Sequence, residues 1–350
     1  MAQIDALFNR LINSKGSDLH LEQGQRPKMR VHGKLTECND IPALTQEYLC
    51  EILKEISGEI NWQRLERTGD LDFAYALDNG ARFRSNYFKF FYGYGAIFRL
   101  IPSKICSFEE LGVPDVMKQV AQLKSGLVLV TGPTGSGKSS TLAAIIDLIN
   151  SGYVKKILTL EEPIEFLHQN KQAIIVHREI GSDAISFAQG LRSALKTDVN
   201  IIMVGEMRDR DTIELALTAA EMGILILGTL HTNSAAKTID RIIDSFPSNK
   251  KNQTREILAN TLQIVCAQQL LPSIDGARRW AAFEILLRSI ALPSLIRQGD
   301  TKLVRSEINT HARLGMVSMD NYLLKLVQEG KVSIEEAYVK AMDKTLFQLT

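Results

Sequence analysis

Gly132, Pro133, Thr134, Gly135, Ser136, Gly137, Lys138 and Ser139 form a spacing with a chemistry attached: two glycines bracketing four residues, then a lysine and a hydroxyl. In G-x-x-x-x-G-K-S/T the glycines let backbone N–H groups curl around phosphate oxygens. The lysine reaches the β- and γ-phosphates, and the hydroxyl ligates Mg²⁺. An apolar run precedes the loop and an apolar-periodic segment follows it, so the loop opens a helix whose positive dipole end adds to the cradle. A chance match is expected in roughly one chain in a hundred of this length, and the strand–loop–helix context makes it rarer. These eight residues, with Ser140 after them, are the expected nucleotide-binding set. ATP and Mg²⁺ are the expected ligands, with Ser139 on the metal.

A phosphate loop alone binds; hydrolysis also needs a carboxylate near the magnesium and a group that orients the attacking water. Two acidic stretches end apolar strands. L-T-L-E-E-P-I-E-F offers Glu161, Glu162 and Glu165, and I-I-M-V-G-E-M-R-D-R offers Glu206 directly after Gly205. Ligands of open α/β sheets bind outside the carboxyl ends of the strands, so both stretches are expected to face the loop. A further strand, G-I-L-I-L-G-T-L, ends at His231, a candidate γ-phosphate sensor or link to a neighbouring subunit. The plainer readings are a solvated loop acid and a satisfied polar histidine. His20, His32, His168, His177 and His311 share no metal-ligand spacing and are read as structural.

The elements that must position these groups fall into two parts. Residues 1–100 read as a small α+β domain. A helix over 3–13 carries Ile4, Leu7, Phe8, Leu11 and Ile12 on one face. S-D-L-H-L-E and M-R-V-H-G-K alternate like strands. D-L-D-F-A-Y-A-L and A-R-F-R-S-N-Y-F meet at Asp78-Asn79-Gly80, a strong hairpin signal. In the second of these, Ala81, Phe83, Ser85 and Tyr87 face one way while Arg82, Arg84 and Asn86 face the other. A-I-F-R-L-I-P closes the sheet. Residues 101–125 are expected to be a linker region, with a Ser107/Glu110 capping box opening a helix. Residues 126–350 are expected to form an α/β domain with a helical C-terminal part. Apolar strands at 127–131, 157–160, 201–205 and 224–229 have no polar face, as in a buried parallel sheet. Helices lie between them at 139–150 and 211–222, the latter opened by Asp211 with Glu214. The last hundred residues read mostly as helix, T-R-E-I-L-A-N-T-L-Q-I-V among them.

Composition narrows the function. In 350 residues, 41 Lys+Arg stand against 40 Asp+Glu, a formal charge of +1. A nucleic-acid binder usually carries a basic excess, so none is expected as a partner. Cys38, Cys50, Cys106 and Cys266 are far apart without a C-x-x-C pair, which fits reduced thiols and excludes the usual zinc arrangements. The first residues carry a charge and no apolar h-region, and no apolar run reaches membrane-spanning length. A cytoplasmic protein is expected.

Four stretches then occur in a recognisable order: the phosphate loop, T-L-E-E-P-I-E-F, I-I-M-V-G-E-M-R-D, and T-L-H-T-N-S-A-A-K-T-I-D-R. Their order resembles that of the bacterial secretion ATPase superfamily, as P-loop, Asp box, atypical Walker B and His box. Within it the sequence is most similar to the PilT-like pilus retraction ATPases, a likeness that G-A-R-F-R, A-I-F-R-L-I-P-S-K, L-R-S-A-L-K and L-G-M-V-S-M-D extend over nearly the whole chain. The resemblance implies a PAS-like N-terminal domain and a RecA-like ATPase domain in a homo-hexamer at the cytoplasmic side of the inner membrane. Its implied partners are an inner-membrane platform protein of a pilus or secretion machine and a second motor ATPase. By the same resemblance, Glu165 polarises the attacking water, Glu206 supports the magnesium shell, and His231 senses the γ-phosphate. Arg82, Arg84 and Arg99 match arginines that reach nucleotide at a subunit boundary.

The pattern is not followed everywhere. Glu162 stands where the family usually has aspartate, and Lys196 and Asn200 interrupt the run before the Walker B strand. At 291–298 A-L-P-S-L-I-R-Q replaces A-I-R-N-L-I-R-E; it can be helical if it starts at Pro293, with Leu292, Leu295 and Ile296 inward. The zinc module of the larger assembly ATPases is absent. The expected activity is ATP hydrolysis driving filament retraction. An accessory or non-hydrolysing nucleotide-gated subunit is the alternative, and a nucleic-acid translocase is disfavoured by the charge balance.

Overall fold

The computed structural model describes residues 2–31, 33–101 and 104–347; His32 and Pro102 lie outside them. The chain divides into two compact units, Met1–Lys104 with Glu162–Leu167, and Ile105–Glu161 with His168–Thr350.

In the first unit, α1 (Asp5–Asn13) precedes β1 (Gly16–Glu22), β2 (Lys28–Val31) and β3 (Lys34–Glu37). Then come α2 (Gln46–Thr68), β4 (Asp70–Ala76), β5 (Arg82–Phe90) and β6 (Gly93–Ile101). The strands form one sheet in the order β3-β2-β1-β6-β5-β4, antiparallel throughout. The expected hairpin at Asp78–Gly80 joins β4 to β5, closed by Leu77 N–H on the Ala81 carbonyl at 2.8 Å. Alternation along β5 buries Phe83, Ser85 and Tyr87 completely. Phe83 and Tyr87 share a core with Phe8 and Leu11 of α1 and with Leu49, Ile52, Leu53, Trp62 and Leu65 of α2. The long helix α2 was not expected from the sequence.

The second unit opens with α3 (Phe108–Leu111), whose Ser107/Glu110 capping box is present as read. The expectation of a linker over 101–125 needs correction here. Phe108, Val113, Met117, Val120 and Ala121 are buried in the core of the second unit, so this stretch is part of its packing. The next elements are β7 (Gly126–Thr131), α4 (Lys138–Gly152), β8 (Lys156–Glu161), β9 (Ile174–Glu179), α5 (Phe187–Ala194) and β10 (Ile201–Val204). After them come α6 (Arg210–Glu221), β11 (Leu225–Leu230), α7 (Ala235–Asp244), α8 (Lys251–Thr261), β12 (Leu262–Pro272) and β13 (Arg279–Leu287). Helices α9 (Leu292–Gln298), α10 (Val304–Thr310), α11 (Met319–Gln328) and α12 (Ile334–Lys340) complete it.

The second sheet runs β13-β12-β7-β11-β10-β8-β9, with β13 alone antiparallel to its neighbour. Strands β7, β10 and β11 are buried along their whole length, which is why they read as apolar runs without alternation. Two expectations fail. The last hundred residues are not mostly helical at their start: α8 ends at Thr261, and L-Q-I-V begins the long hairpin β12–β13. Helix α6 is capped by Asp209, not Asp211: the Asp209 carboxylate accepts Thr212 N–H at 2.9 Å. The A-L-P-S-L-I-R-Q segment is the helix α9 with proline in its first turn. Leu292 and Ile296 are buried there, and Leu295 is half-buried.

Candidate functional site

Strand order decides which loops meet. From β7 the chain passes to β8, beyond β11 and β10, whereas β11 leads to β12 on the other side of β7. The carboxyl ends of β7 and β11 therefore flank a topological switch point, where open α/β sheets bind their ligands. Along that edge the parallel order β7-β11-β10-β8 sets the phosphate loop, His231, Glu206 and Glu161 side by side.

The loop is built for close approach by backbone. Gly132, Gly135 and Gly137 have φ of +149°, +76° and +89°. A Cβ at Gly132 would lie 2.2 Å from the Gln268 carbonyl oxygen and 2.5 Å from Ser136 Oγ. No side chain caps α4, and no acidic residue occupies its first turn. Its leading N–H groups and dipole end thus remain available to an anion. Lys138 Nζ donates to the carbonyls of Gly132 (2.9 Å) and Pro133 (3.0 Å), which hold the ammonium over the loop. The buried hydroxyls of Thr131 and Ser136 have no hydrogen-bond partner among the described residues. Gln268 on β12 was missed by the sequence reading. Its Oε1 accepts the Thr141 hydroxyl of α4 at 2.8 Å, and its Nε2 stands 2.9 Å from where a Gly137 Cβ would be.

Glu206 follows β10 through Gly205, as expected. His231 Nε2 lies 2.8 Å from one carboxylate oxygen and Arg208 Nη2 2.6 Å from the other. Burial pushes the Glu206 carboxyl up, but Arg208 and His231 outweigh it and hold it below the ordinary carboxylate range. Mg²⁺ takes hard oxygen donors and keeps several phosphate oxygens and waters, so it needs few protein ligands. The Ser139 hydroxyl in the first turn of α4 and the Glu206 carboxylate fit that demand.

Glu161 ends β8 and is buried, with His177 Nδ1 3.7 Å from its carboxylate. His177 Nε2 accepts the His168 backbone N–H at 3.1 Å, which places the ring proton on Nδ1, facing Thr159 Oγ1 at 2.9 Å. Burial, then the neighbouring His177, drives the His168 pKa down to about 4. Neither histidine was expected near an acid of the site.

The remaining expected residues belong to the first unit. Glu165 lies in its segment Glu162–Leu167. Arg84 and Arg99 are directly paired across β5 and β6, and Arg82 is two residues from Arg84 on the same face. The row continues through Asp18 of β1 to Arg30 of β2. Arg99 Nε donates to the buried Asp18 carboxylate at 2.8 Å, and Arg30 Nε stands 3.7 Å from its other oxygen. Burial raises the Asp18 pKa, but hydrogen bonds from Ser17 and Arg99 bring it below the ordinary value. Arg84 Nε is 3.9 Å from Asp72.

No helix among the described residues is long and apolar enough to cross a membrane. The chain is 46% identical over 325 residues to the type IV pilus retractation ATPase PilT of Pseudomonas aeruginosa, covering 93% of this chain and 94% of that one. It is 44% identical over 317 residues to a twitching motility protein of Neisseria gonorrhoeae, covering 91% and 84%. Among solved structures, the pilus retraction motor PilT with bound ADP matches at a TM-score of 0.91 and 39% identity, covering 99% of this chain and 98% of that one. The model of the type II/IV secretion system protein family matches residues 1–347, and with this switch-point phosphate loop on a RecA-like sheet the chain belongs to that family.

Proposed function

We propose that the chain is one subunit of an ATP-hydrolysing hexameric motor that drives retraction or disassembly of a type IV pilus or a related secretion filament. The observation that carries the reading is the adjacency of the phosphate loop, His231 and Glu206 on consecutive strand ends of one sheet. Full-length similarity to a pilus retraction ATPase supports the choice of filament and direction.

Backbone N–H groups of Thr134, Gly135 and 137–139 bind the phosphates, and Lys138 neutralises charge on the transferred group. Ser139, and Glu206 through water, would hold Mg²⁺, which would supply further charge neutralisation. Glu165 orients the attacking water and accepts its proton. His231, held by Glu206, registers the γ-phosphate and its loss. Arg82, Arg84 and Arg99 reach nucleotide across a subunit boundary, where charge developing at the leaving oxygens needs an arginine. The ring works at the cytoplasmic face of the inner membrane, on a platform protein, alone or beside a second motor ATPase.

Deleting the gene in a piliated host tests this. Filaments should still assemble, in excess, while shortening and the motility that depends on it are lost. Disappearance of assembled filaments would place the protein among extension motors instead.

A further inference from the structure

Glu284 is a carboxylate where the strand pattern calls for an apolar residue. It sits mid-way along β13, opposite Ala267 of β12, and is only 4% exposed. Leaving such a charge without partners would be costly. Its two oxygens have separate partners on separate helices. One accepts the Ala235 backbone N–H at 2.8 Å, the other the Met319 backbone N–H at 3.3 Å. Ala235 and Met319 are the first residues of α7 and α11, following the N-caps Ser234 and Ser318. One carboxylate thus satisfies a leading donor of each helix and lies at the positive end of both dipoles.

His231 stands in the segment that joins β11 to α7, directly after Leu230. Only 231–234 separate β11 from α7, and that segment is fastened to the helix twice. Thr232 Oγ1 lies 2.6 Å from Thr238 Oγ1, and the Thr238 hydroxyl donates to the Ser234 carbonyl at 2.7 Å. His231 is thus held between the end of β11 on one side and a segment tied to the α7 N-terminus on the other. The ring Nε2 has to meet Glu206 at 2.8 Å, so a small displacement of α7 changes that contact.

We propose that Glu284 is a positioning residue for ATP hydrolysis: by fixing the N-terminus of α7 on β13 it sets His231 against Glu206. The same carboxylate makes this placement answer to α11. The inference rests on the reading of His231 given above, and the test separates the two.

Steady-state hydrolysis by the full-length assembled protein is measured for Glu284→Gln, His231→Ala and their double variant, with melting temperatures alongside. An amide cannot accept both N–H groups without turning its own NH₂ toward one of them. Glu284→Gln is expected to lower kcat about tenfold with KM within about twofold, the effect of one lost charge-assisted hydrogen bond expressed in turnover. In the His231→Ala background the Glu284→Gln penalty should vanish, since the residue it positions is gone. A merely structural role predicts equal penalties in both backgrounds. Ala235→Pro deletes the same bond from the other side, at a first-helical position that tolerates proline. It should reproduce the kcat loss, and it takes the place of Glu284→Gln in the cycle if that variant does not fold. Full activity of His231→Ala would sink the reading of His231. An impaired His231→Ala beside wild-type kcat in the bond-deleting variants, or additive losses, would overturn the role of Glu284 alone.

Discussion

Alanine at each of the three phosphate-loop glycines should give three different penalties, in an order set by the structure. At Gly135 an added Cβ meets nothing within 4 Å, so the cost is the left-handed backbone at φ +76°, about 1–2 kcal/mol. At Gly137 the same backbone cost applies, and the Cβ lands 2.9 Å from Gln268 Nε2. That amide is not free to swing, because its oxygen accepts the Thr141 hydroxyl. Moving it forfeits that bond, about 1 kcal/mol net, for a total of about 2–3 kcal/mol. At Gly132 the Cβ would stand 2.2 Å from a main-chain carbonyl of β12, which cannot move without the strand. There the loop itself must shift. With tenfold in affinity for each 1.4 kcal/mol, titration of a fluorescent ADP analogue should show about a tenfold loss for Gly135→Ala and about thirtyfold to a hundredfold for Gly137→Ala. Gly132→Ala should show no measurable binding. In a Gln268→Ala background the Gly137→Ala penalty should fall to that of Gly135→Ala, while Gly132→Ala remains unrescued. Equal losses at the three positions, or Gly135→Ala as the worst, would refute the loop geometry from which these magnitudes are worked.

Glu165→Gln should leave nucleotide affinity intact and slow phosphate release by orders of magnitude. Glu206→Gln should slow it too, with the larger change in Mg²⁺ dependence; wild-type turnover in both would mean these are solvated loop acids. At saturating protein, removal of an arginine among Arg82, Arg84 and Arg99 that stabilises transition-state charge should cost on the order of a thousandfold in rate. Asp18→Asn should reproduce part of the Arg99 loss, because it removes the charge that holds the Arg99 guanidinium; three fully active arginine variants would end the boundary role. His168 gives a pH signature. Its folded pKa, about 4, is below the ordinary histidine value of about 6.5, so the unfolded chain binds a proton that the native state refuses. Stability should be unaffected at pH 7 and fall as pH drops from about 6.5 toward 4, by at most about 3 kcal/mol. Urea melts of wild type and His168→Gln should diverge across that window, and parallel curves would show His168 to be accessible to protons.

The site was legible in the sequence wherever its chemistry is local. The phosphate loop is one contiguous pattern, and Glu206 and His231 each follow an apolar run that reads as a buried strand. Strand order is not local, so nothing in the sequence tells that β11 and β10 are neighbours and that His231 meets Glu206. The same holds for Gln268, which reaches Thr141 across 127 positions, and for Glu284, whose partners lie 49 and 35 positions away. Helix α2 escaped notice because Gly58, at φ +73°, breaks it into two halves with different registers, Leu49, Ile52 and Leu53 before it and Trp62 and Leu65 after it. Strand β12 was hidden by its opening: T-L-Q-I-V continues the spacing of α8, and a short apolar run does not by itself distinguish helix from strand. Asp209 and Asp211 both stand near the start of α6, and only the hydrogen bond to Thr212 identifies the cap.

Phosphate release by the purified protein, measured across protein concentration with and without Mg²⁺ beside Lys138→Ala, tests the central claim most directly. Wild type should release phosphate only with Mg²⁺, at a specific activity that climbs with concentration to a plateau as the ring assembles, and Lys138→Ala should release none. Release that persists in Lys138→Ala or without Mg²⁺, or a specific activity that stays constant down to the monomer, would contradict an assembled motor working from this phosphate loop.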